Sequence, residues 1–292
     1  FYRYHRLVSL NEVGGDPDVF GIRVNAFHGA SRDRATRWPH TMLTTSTHDT
    51  KRSEDVRARI AVISERPAAW RLAGRRRGPG DPPPPPPPPG PPSRNDEYLL
   101  YQSLVGTLPT TPLDDASLAA YRARIAGYML KAVREGKRHS SWISPDEAYE
   151  AALTGFIGGL LGRVQGNLFL EDLRQAVAIY AWDGALNTLS MTVLKLTSPG
   201  VPDIYQGQQA MDLSLVDPDN RRAVDYAAQD DAVGARAPLA DATEPAAAVA
   251  ALLSDPTDGR AKLWTTWRAL QLRRDHPDLF EQGDYRPLDV KG

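Results

Sequence analysis

Eight consecutive prolines, at residues 82–89, constrain this 292-residue chain more than any other feature of its sequence. Proline has a fixed φ and no backbone N–H, so such a run cannot continue a helix or enter the middle of a sheet, and it favours an extended polyproline II rod. The run therefore predicts a boundary in the fold. We interpret it as a solvent-exposed loop expansion rather than a ligand for an SH3-type domain, because nothing else in the sequence indicates signalling.

Charge and cysteine content exclude several classes of function. The 35 Lys+Arg and 36 Asp+Glu leave a net charge of -1, which removes any broad attraction to nucleic acid or an anionic membrane. The chain has no cysteine for disulfides or thiolate chemistry, and its histidines lack metal-ligand spacing. It also has no membrane-spanning apolar run and no signal peptide at its start. We therefore predict a cytoplasmic protein with no cofactor, metal, nucleic-acid partner or membrane partner.

The part before the proline run predicts strands and loops followed by one helix. Residues 1–52 alternate short apolar stretches with Gly, Asp and Pro turns. Within them, residues 41–47 are uncharged and β-branched, which predicts a buried strand with polar groups at its C-terminal end. Residues 53–66 predict a helix that has Ser53 as its N-cap and ends near Pro67.

The part after the proline run predicts a mainly helical segment. Apolar residues at helical spacing predict three helices, over residues 118–129, 144–156 and 170–194. The second of these opens with a capping-box pattern. Residues 201–207 predict a short strand that ends in a glycine turn, and residues 263–276 predict a last helix.

The densest polar cluster follows the predicted strand at residues 41–47. His48 and Asp49 stand next to each other, and Lys51 and Arg52 follow. Charge-assisted hydrogen bonds from such groups suit the recognition of sugar hydroxyls or of an anion. An ordinary helix N-terminus with caps and ion pairs explains the same residues, and both interpretations stay open at this point.

A second polar cluster lies near residue 220. Asp217, Asp219, Arg221 and Arg222 resemble a calcium loop only superficially, because the central glycine and terminal glutamate of an EF-hand are absent. A salt-bridged turn is the alternative interpretation. The stretch around Asn25 invites comparison with the nucleophile strand of amylase-type enzymes, but Asn25 stands where an aspartate is needed, so we treat that match as accidental.

Six blocks, in order along nearly the whole chain, resemble the malto-oligosyltrehalose synthases of the α-amylase superfamily (glycoside hydrolase family 13). The blocks are residues 7–16, 38–55, 95–106, 131–142, 198–207 and 214–226. They correspond to the carboxy-terminal part of that family's pattern. Together with a first residue that is not methionine, this leads us to expect a piece of a longer protein.

The resemblance implies an α/β fold: the C-terminal part of a (β/α)8 TIM barrel with a large helical insertion and the start of a C-terminal domain. The implied parts are a barrel segment with the seventh-strand His-Asp motif (1–66), a Pro-rich linker or loop expansion (67–95), a helical insertion (96–196), the last barrel strand, loop and helix (197–282), and the start of a C-terminal β domain (283–292).

The resemblance also implies an activity and a set of site residues. The family is an intramolecular glucosylmutase that converts the reducing-end α-1,4 bond of a maltodextrin into an α,α-1,1 (trehalose) bond by a retaining mechanism. By this comparison Asp49 is the transition-state stabiliser, and His48 contacts sugar hydroxyls. The residues implied to bind substrate are Lys51, Arg52, Tyr205, Asp217, Asp219, Arg221 and Arg222.

The implied partners are a maltodextrin substrate and, in the pathway, malto-oligosyltrehalose trehalohydrolase. This sequence departs from the family pattern at three positions: Gln208 and Gln209 stand where a glutamate is expected, and Ala223 replaces a proline. The strands that bear the nucleophile and the general acid are not found in these residues, so we expect this chain alone to be inactive. Two alternatives stay open: another α-amylase superfamily hydrolase or transglycosylase, and a non-catalytic glucan-binding remnant.

Overall fold

The computed structural model describes residues 1–73, 91–235 and 245–288. Its helices are α1 Val24–Arg37, α2 Glu54–Glu65, α3 Pro67–Ala73, α4 Arg94–Thr107, α5 Asp115–Gly136, α6 Glu147–Leu160, α7 Leu168–Thr197, α8 Tyr226–Gly234, α9 Pro245–Leu252, α10 Arg260–Asp275 and α11 Pro277–Glu281. Its strands are β1 Met42–Leu43 and β2 Val201–Pro202, and short 3-10 turns lie at Val8–Leu10, Asp219–Arg221 and Pro256–Asp258. No described helix is long and apolar enough to cross a membrane.

The chain divides into two compact units. The first unit contains residues 1–17, 50–184 and 213–220, and the second contains residues 18–49, 185–212 and 221–292. Helix α7 contributes residues up to Gly184 to the first unit and residues from Ala185 to the second.

The core of the first unit is built from α2, α4, α5, α6 and the first part of α7. The helix predicted over residues 53–66 is confirmed as α2, and the Ser53 side chain accepts a hydrogen bond from the Val56 N–H at 3.3 Å, as an N-cap does. Helices α2 and α4 pack closely because Gly106 has no side chain: a Cβ there would lie 2.8 Å from Ile60 Cδ1. The helices predicted over residues 118–129 and 170–194 are confirmed as parts of α5 and α7.

The predicted start of one helix was wrong. Helix α6 begins at Glu147, and its N-cap is Asp146 rather than Ser144, because Ser144 closes a turn with Ser141 (Ser144 N to Ser141 Oγ, 3.0 Å). Asp146 accepts a hydrogen bond from the Tyr149 N–H at 2.9 Å. The helix end predicted near Pro67 is confirmed, because α2 ends at Glu65; a separate helix, α3, then begins with Pro67, where a missing N–H costs nothing.

The strand-and-loop prediction for residues 1–52 was wrong for residues 24–37, which form α1. Alanine and arginine are frequent in this stretch and favour helix. Periodicity did not reveal α1 because Ser31 is its only buried residue, so it has no apolar stripe.

The described residues contain one sheet, in the second unit, made of β1 and β2 in parallel. Met42 pairs with Val201 and Leu43 with Pro202. The strands predicted over residues 41–47 and 201–207 are therefore much shorter than expected, and Met42 is 67% exposed rather than buried. The ladder ends early because Thr44 Oγ1 donates to the Ser46 carbonyl at 2.7 Å and turns the chain.

The remaining predictions fall on the end of the chain and on the proline run. The predicted last helix is confirmed as α10, which ends at Asp275. The proline run lies outside the described residues, and the β domain expected from residue 283 stays a prediction. On either side of the run, α3 and α4 are in contact: Trp70 Nε1 donates to the Tyr98 hydroxyl at 3.1 Å.

One ion pair joins α5 to α6 and should be visible in the pH dependence of stability. Arg134 donates to both carboxylate oxygens of Glu150, at 2.8 and 2.5 Å, and this pair lowers the pKa of Glu150 from 4.5 to about 2. A carboxyl group with a lowered pKa in the folded state stabilises the fold above its unfolded pKa, and the contribution fades as pH falls toward the folded value.

We therefore expect Glu150→Gln to lower the free energy of unfolding at pH 7, with a deficit that stays constant down to about pH 5 and disappears between pH 4.5 and 2. Urea unfolding across this range measures the difference. The matched control is Glu147→Gln, which changes an exposed glutamate of the same helix. A deficit that persists at pH 2 would contradict the assignment.

Candidate functional site

Two segments that contain predicted site residues are joined within the first unit. Arg52 and Leu215 form an antiparallel bridge, and the Ser53 N–H donates to the Ser214 carbonyl at 3.0 Å. The structure thus brings Lys51 and Arg52 beside the segment that leads into Asp217, although the two segments lie far apart in the sequence.

Glu12 holds the backbone of the Lys51–Arg52 segment and was missed by the sequence analysis. Its carboxylate accepts hydrogen bonds from the N–H groups of Lys51 (2.8 Å) and Arg52 (3.0 Å), and only 4% of the residue is exposed. Glu12 belongs to the first block that resembles the family, but a single glutamate in a loop gives no local signal of this role. The contact fixes the chain where it leaves the His48–Asp49 motif.

Arg52 is fully buried, and its hydrogen bonds connect the Lys51–Arg52 segment to the rest of the first unit. Its guanidinium donates to the Tyr128 hydroxyl at 2.8 Å and to the carbonyls of Val8 (3.3 Å) and Asn11 (3.4 Å). Tyr2 packs edge-on against Tyr128, and burial raises the pKa of Tyr2 far above its ordinary value, so this hydroxyl stays neutral. These contacts give Arg52 a structural role, and its substrate-binding role stays a prediction.

The turn that carries Asp217 and Asp219 is paired with two cations of α5. Lys131 Nζ lies 2.7 Å from Asp217 Oδ1 and also donates to the Asp217 carbonyl at 3.0 Å. Arg124 Nε lies 3.0 Å from Asp219 Oδ2, which accepts the Leu215 N–H at 2.7 Å. The ion pairs expected of a salt-bridged turn are therefore present, and the substrate-binding role of the two aspartates stays a prediction.

The second unit contains His48, Asp49 and Tyr205. His48 and Asp49 follow β1, and Tyr205 follows β2. Because these strands are parallel, their C-terminal ends lie at the same edge of the sheet, and all three residues follow those ends. Thr44 Oγ1 lies 3.4 Å from Asp203 Oδ2, and this contact connects the two segments. His48 and Asp49 are exposed, and Tyr205 is half-buried.

The last two predicted site residues, Arg221 and Arg222, are exposed and belong to the second unit. Lys51, Arg52, Asp217 and Asp219 belong to the first. Within the described ranges, no cluster of three or more His, Asp or Glu side chains offers a metal site.

Comparison with known proteins identifies the kind of protein that this chain resembles. No protein-family model matches it. Two curated proteins of Mycobacterium tuberculosis, from strains CDC 1551 and H37Rv, are each 39% identical to it over 293 aligned positions; both are named maltooligosyl trehalose synthase. The alignment covers 100% of this chain and 33% of each relative, so the chain spans about a third of their length.

Solved structures give the same result. The maltooligosyltrehalose synthase of Arthrobacter ramosus is 41% identical, with a TM-score of 0.75, over 95% of this chain and 32% of that one. A Sulfolobus tokodaii protein described as a hypothetical maltooligosyl trehalose synthase is 31% identical, with a TM-score of 0.75, over 99% of this chain and 36% of that one. In sequence and in fold, this chain is thus similar over nearly its whole length to about one third of a maltooligosyltrehalose synthase.

Proposed function

We propose that this chain is part of a glucosylmutase that converts the reducing-end α-1,4 bond of a maltodextrin into an α,α-1,1 bond, a step of trehalose biosynthesis. The observation that carries the proposal is the similarity to maltooligosyl trehalose synthases along the full length of the chain. The parallel pair β1 and β2 supports it. His48, Asp49 and Tyr205 follow the C-terminal ends of these two strands, and barrel enzymes have their active sites at the C-terminal ends of their strands.

In this proposal, β1 and β2 are the seventh and eighth strands of a (β/α)8 barrel. Residues 1–66 contain the seventh strand, residues 67–95 are a loop expansion, residues 96–196 are a helical insertion, residues 197–282 contain the eighth strand, and residues 283–292 begin a C-terminal β domain. The helix-rich composition of the described residues between the two strands supports the insertion.

The proposed reaction needs two carboxyl groups supplied by other parts of the protein. A general acid protonates the glycosidic oxygen while an aspartate attacks the anomeric carbon, so the α-1,4 bond breaks, the shortened glucan is held covalently, and glucose is freed. That glucose stays bound and attacks the same anomeric carbon through its own anomeric hydroxyl. The acid residue, now acting as a base, takes the proton, and the α,α-1,1 bond forms.

The residues of this chain supply binding and charge stabilisation in this scheme. Asp49 stabilises the oxocarbenium-like transition state through hydroxyl groups of the cleaved sugar, and His48 donates hydrogen bonds to the same sugar. Lys51, Arg52, Tyr205, Asp217, Asp219, Arg221 and Arg222 belong to the reducing-end side of the site. Tight binding of the freed glucose and exclusion of water favour transfer over hydrolysis.

Product analysis of the full protein tests the proposal. Incubated with maltopentaose, the protein should consume reducing ends while releasing almost no glucose, because transfer to the anomeric hydroxyl removes a reducing end and hydrolysis creates one. Reducing-end titration and enzymatic glucose measurement on the same samples follow both quantities.

Two outcomes would contradict the proposal. Release of glucose in step with new reducing ends would identify a hydrolase of the same superfamily. Binding of maltopentaose in a calorimeter without any turnover would identify a glucan-binding protein. Malto-oligosyltrehalose trehalohydrolase as the next enzyme in the pathway and a cytoplasmic location are further parts of the proposal.

A further inference from the structure

Helix α5 directs three polar side chains toward the predicted substrate-binding segments of the first unit. Arg124, Tyr128 and Lys131 are spaced by four and three residues, so they share one face of the helix. Arg124 pairs with Asp219, Lys131 pairs with Asp217, and the Tyr128 hydroxyl accepts from Arg52. One helix face therefore contacts both segments that the Arg52–Leu215 bridge joins.

Lys131 and Arg124 together contact both the backbone and the side chains of the Asp217–Asp219 turn. Lys131 Nζ bonds the carbonyl oxygen and the carboxylate of Asp217, which sets the direction of that side chain. Asp219 Oδ2 is shared between Arg124 and the Leu215 N–H, so this carboxylate ties α5 to the strand-like segment before the turn. The side chains of Arg124 and Lys131 are each only 19% exposed, which limits screening by solvent.

We infer that Arg124 and Lys131 are positioning residues for glucan binding: they hold the Asp217–Asp219 turn in its binding conformation without touching the substrate. The inference rests on the function proposed above, since it takes this turn as part of the glucan site. A maltodextrin is uncharged and cannot compensate two neighbouring carboxylates, which repel each other. The compensating charge must come from the protein, and in the first unit α5 supplies it.

Helix α5 also contains a matched control. Arg122 donates from the same helix to the carbonyls of Leu161 and Gly162, both at 3.3 Å, which lie outside every segment predicted to bind substrate. Replacing Arg122 removes an arginine that binds two backbone carbonyls but leaves the Asp217–Asp219 turn intact.

The test measures kcat and KM for maltopentaose in the full protein carrying Lys131→Met, Arg124→Met or Arg122→Met. We expect each of the first two variants to raise KM about tenfold, with a smaller change in kcat, because Lys131→Met loses the hydrogen bonds to Asp217 and Arg124→Met loses the ion pair with Asp219. Arg122→Met should keep KM within about twofold of the wild type. Lys131→Arg should restore KM, because arginine also binds carboxylates.

The inference is wrong if Lys131→Met and Arg124→Met lower the unfolding temperature as Arg122→Met does but leave KM unchanged. Glucose release by the wild type would contradict the proposed mutase activity. The positioning role of Arg124 and Lys131 would still be tested, since KM reports glucan binding by a hydrolase as well. If the wild type turns over no glucan, the proposed function fails, and amide exchange decides the positioning role. Exchange of the Leu215 N–H should then be faster in Arg124→Met than in Arg122→Met, and equal rates would overturn it.

Discussion

Replacing Asp49 by alanine in the full protein is expected to lower kcat for reducing-end loss from maltopentaose about a thousandfold, with a much smaller change in KM. Hydrogen bonds that a carboxylate accepts from sugar hydroxyls strengthen as positive charge develops on the ring, so their loss raises the energy of the transition state more than it weakens ground-state binding. Asp49 is exposed and follows the parallel strand β1, which leaves its carboxylate accessible to a ligand.

Three further variants sharpen this expectation. Asp49→Asn should be nearly as inactive as Asp49→Ala, because the amide keeps the size of the side chain but not its charge. His48→Ala should lose less, since it removes hydrogen bonds to the sugar but leaves the Asp49 carboxylate in place. Asp33→Ala, which changes an exposed aspartate paired with Arg37 in the same unit, should keep wild-type activity. Activity of Asp49→Ala within tenfold of the wild type would refute the site assignment.

Arg52→Met is expected to lower the stability of the first unit by about 3 kcal/mol. Methionine fills much of the volume of the arginine stem, so the main loss is that of the bonds to Val8, Asn11 and Tyr128. The backbone bridge to Leu215 should weaken as well, because it depends on the placement of this segment. Hydrogen exchange of the α5 amides reports the stability of this unit directly.

The control for Arg52→Met is Arg66→Met in the same unit. Arg66 Nε lies 2.5 Å from Asp183, but its side chain is 50% exposed, and such pairs contribute about 0 to 1 kcal/mol. If both variants change the exchange of α5 equally, Arg52 does not anchor the segment in the way its contacts indicate.

The parts of the fold that could be predicted are those in which apolar residues recur at the spacing of a helix. Leu118, Tyr121, Ile125 and Met129 are all buried on α5, so their spacing carried the signal. Helix α1 could not be found in this way because its buried residue, Ser31, is polar and stands alone. The lengths of β1 and β2 were also beyond prediction, since a ladder ends where partners are lost and not where β-branched residues end.

The candidate site could be predicted in its residue types but not in its connections. Asp217 and Asp219 were singled out as charged neighbours, yet nothing local to them indicates that their partners lie on α5. Glu12 was missed for the same reason, because its role is to accept two backbone N–H groups from a distant segment. Contacts of this kind are set by tertiary packing, and one sequence shows no pattern for them.

The Trp70–Tyr98 contact between α3 and α4 has a consequence for how the chain can vary in length. It closes a loop, and the entropy lost on closing a flexible loop grows only with the logarithm of its length, about 0.6 kcal/mol for each doubling. Flexible residues gained or lost between α3 and α4 should therefore change stability little. A protein with a longer or shorter flexible connection between α3 and α4 can therefore keep the same two helices.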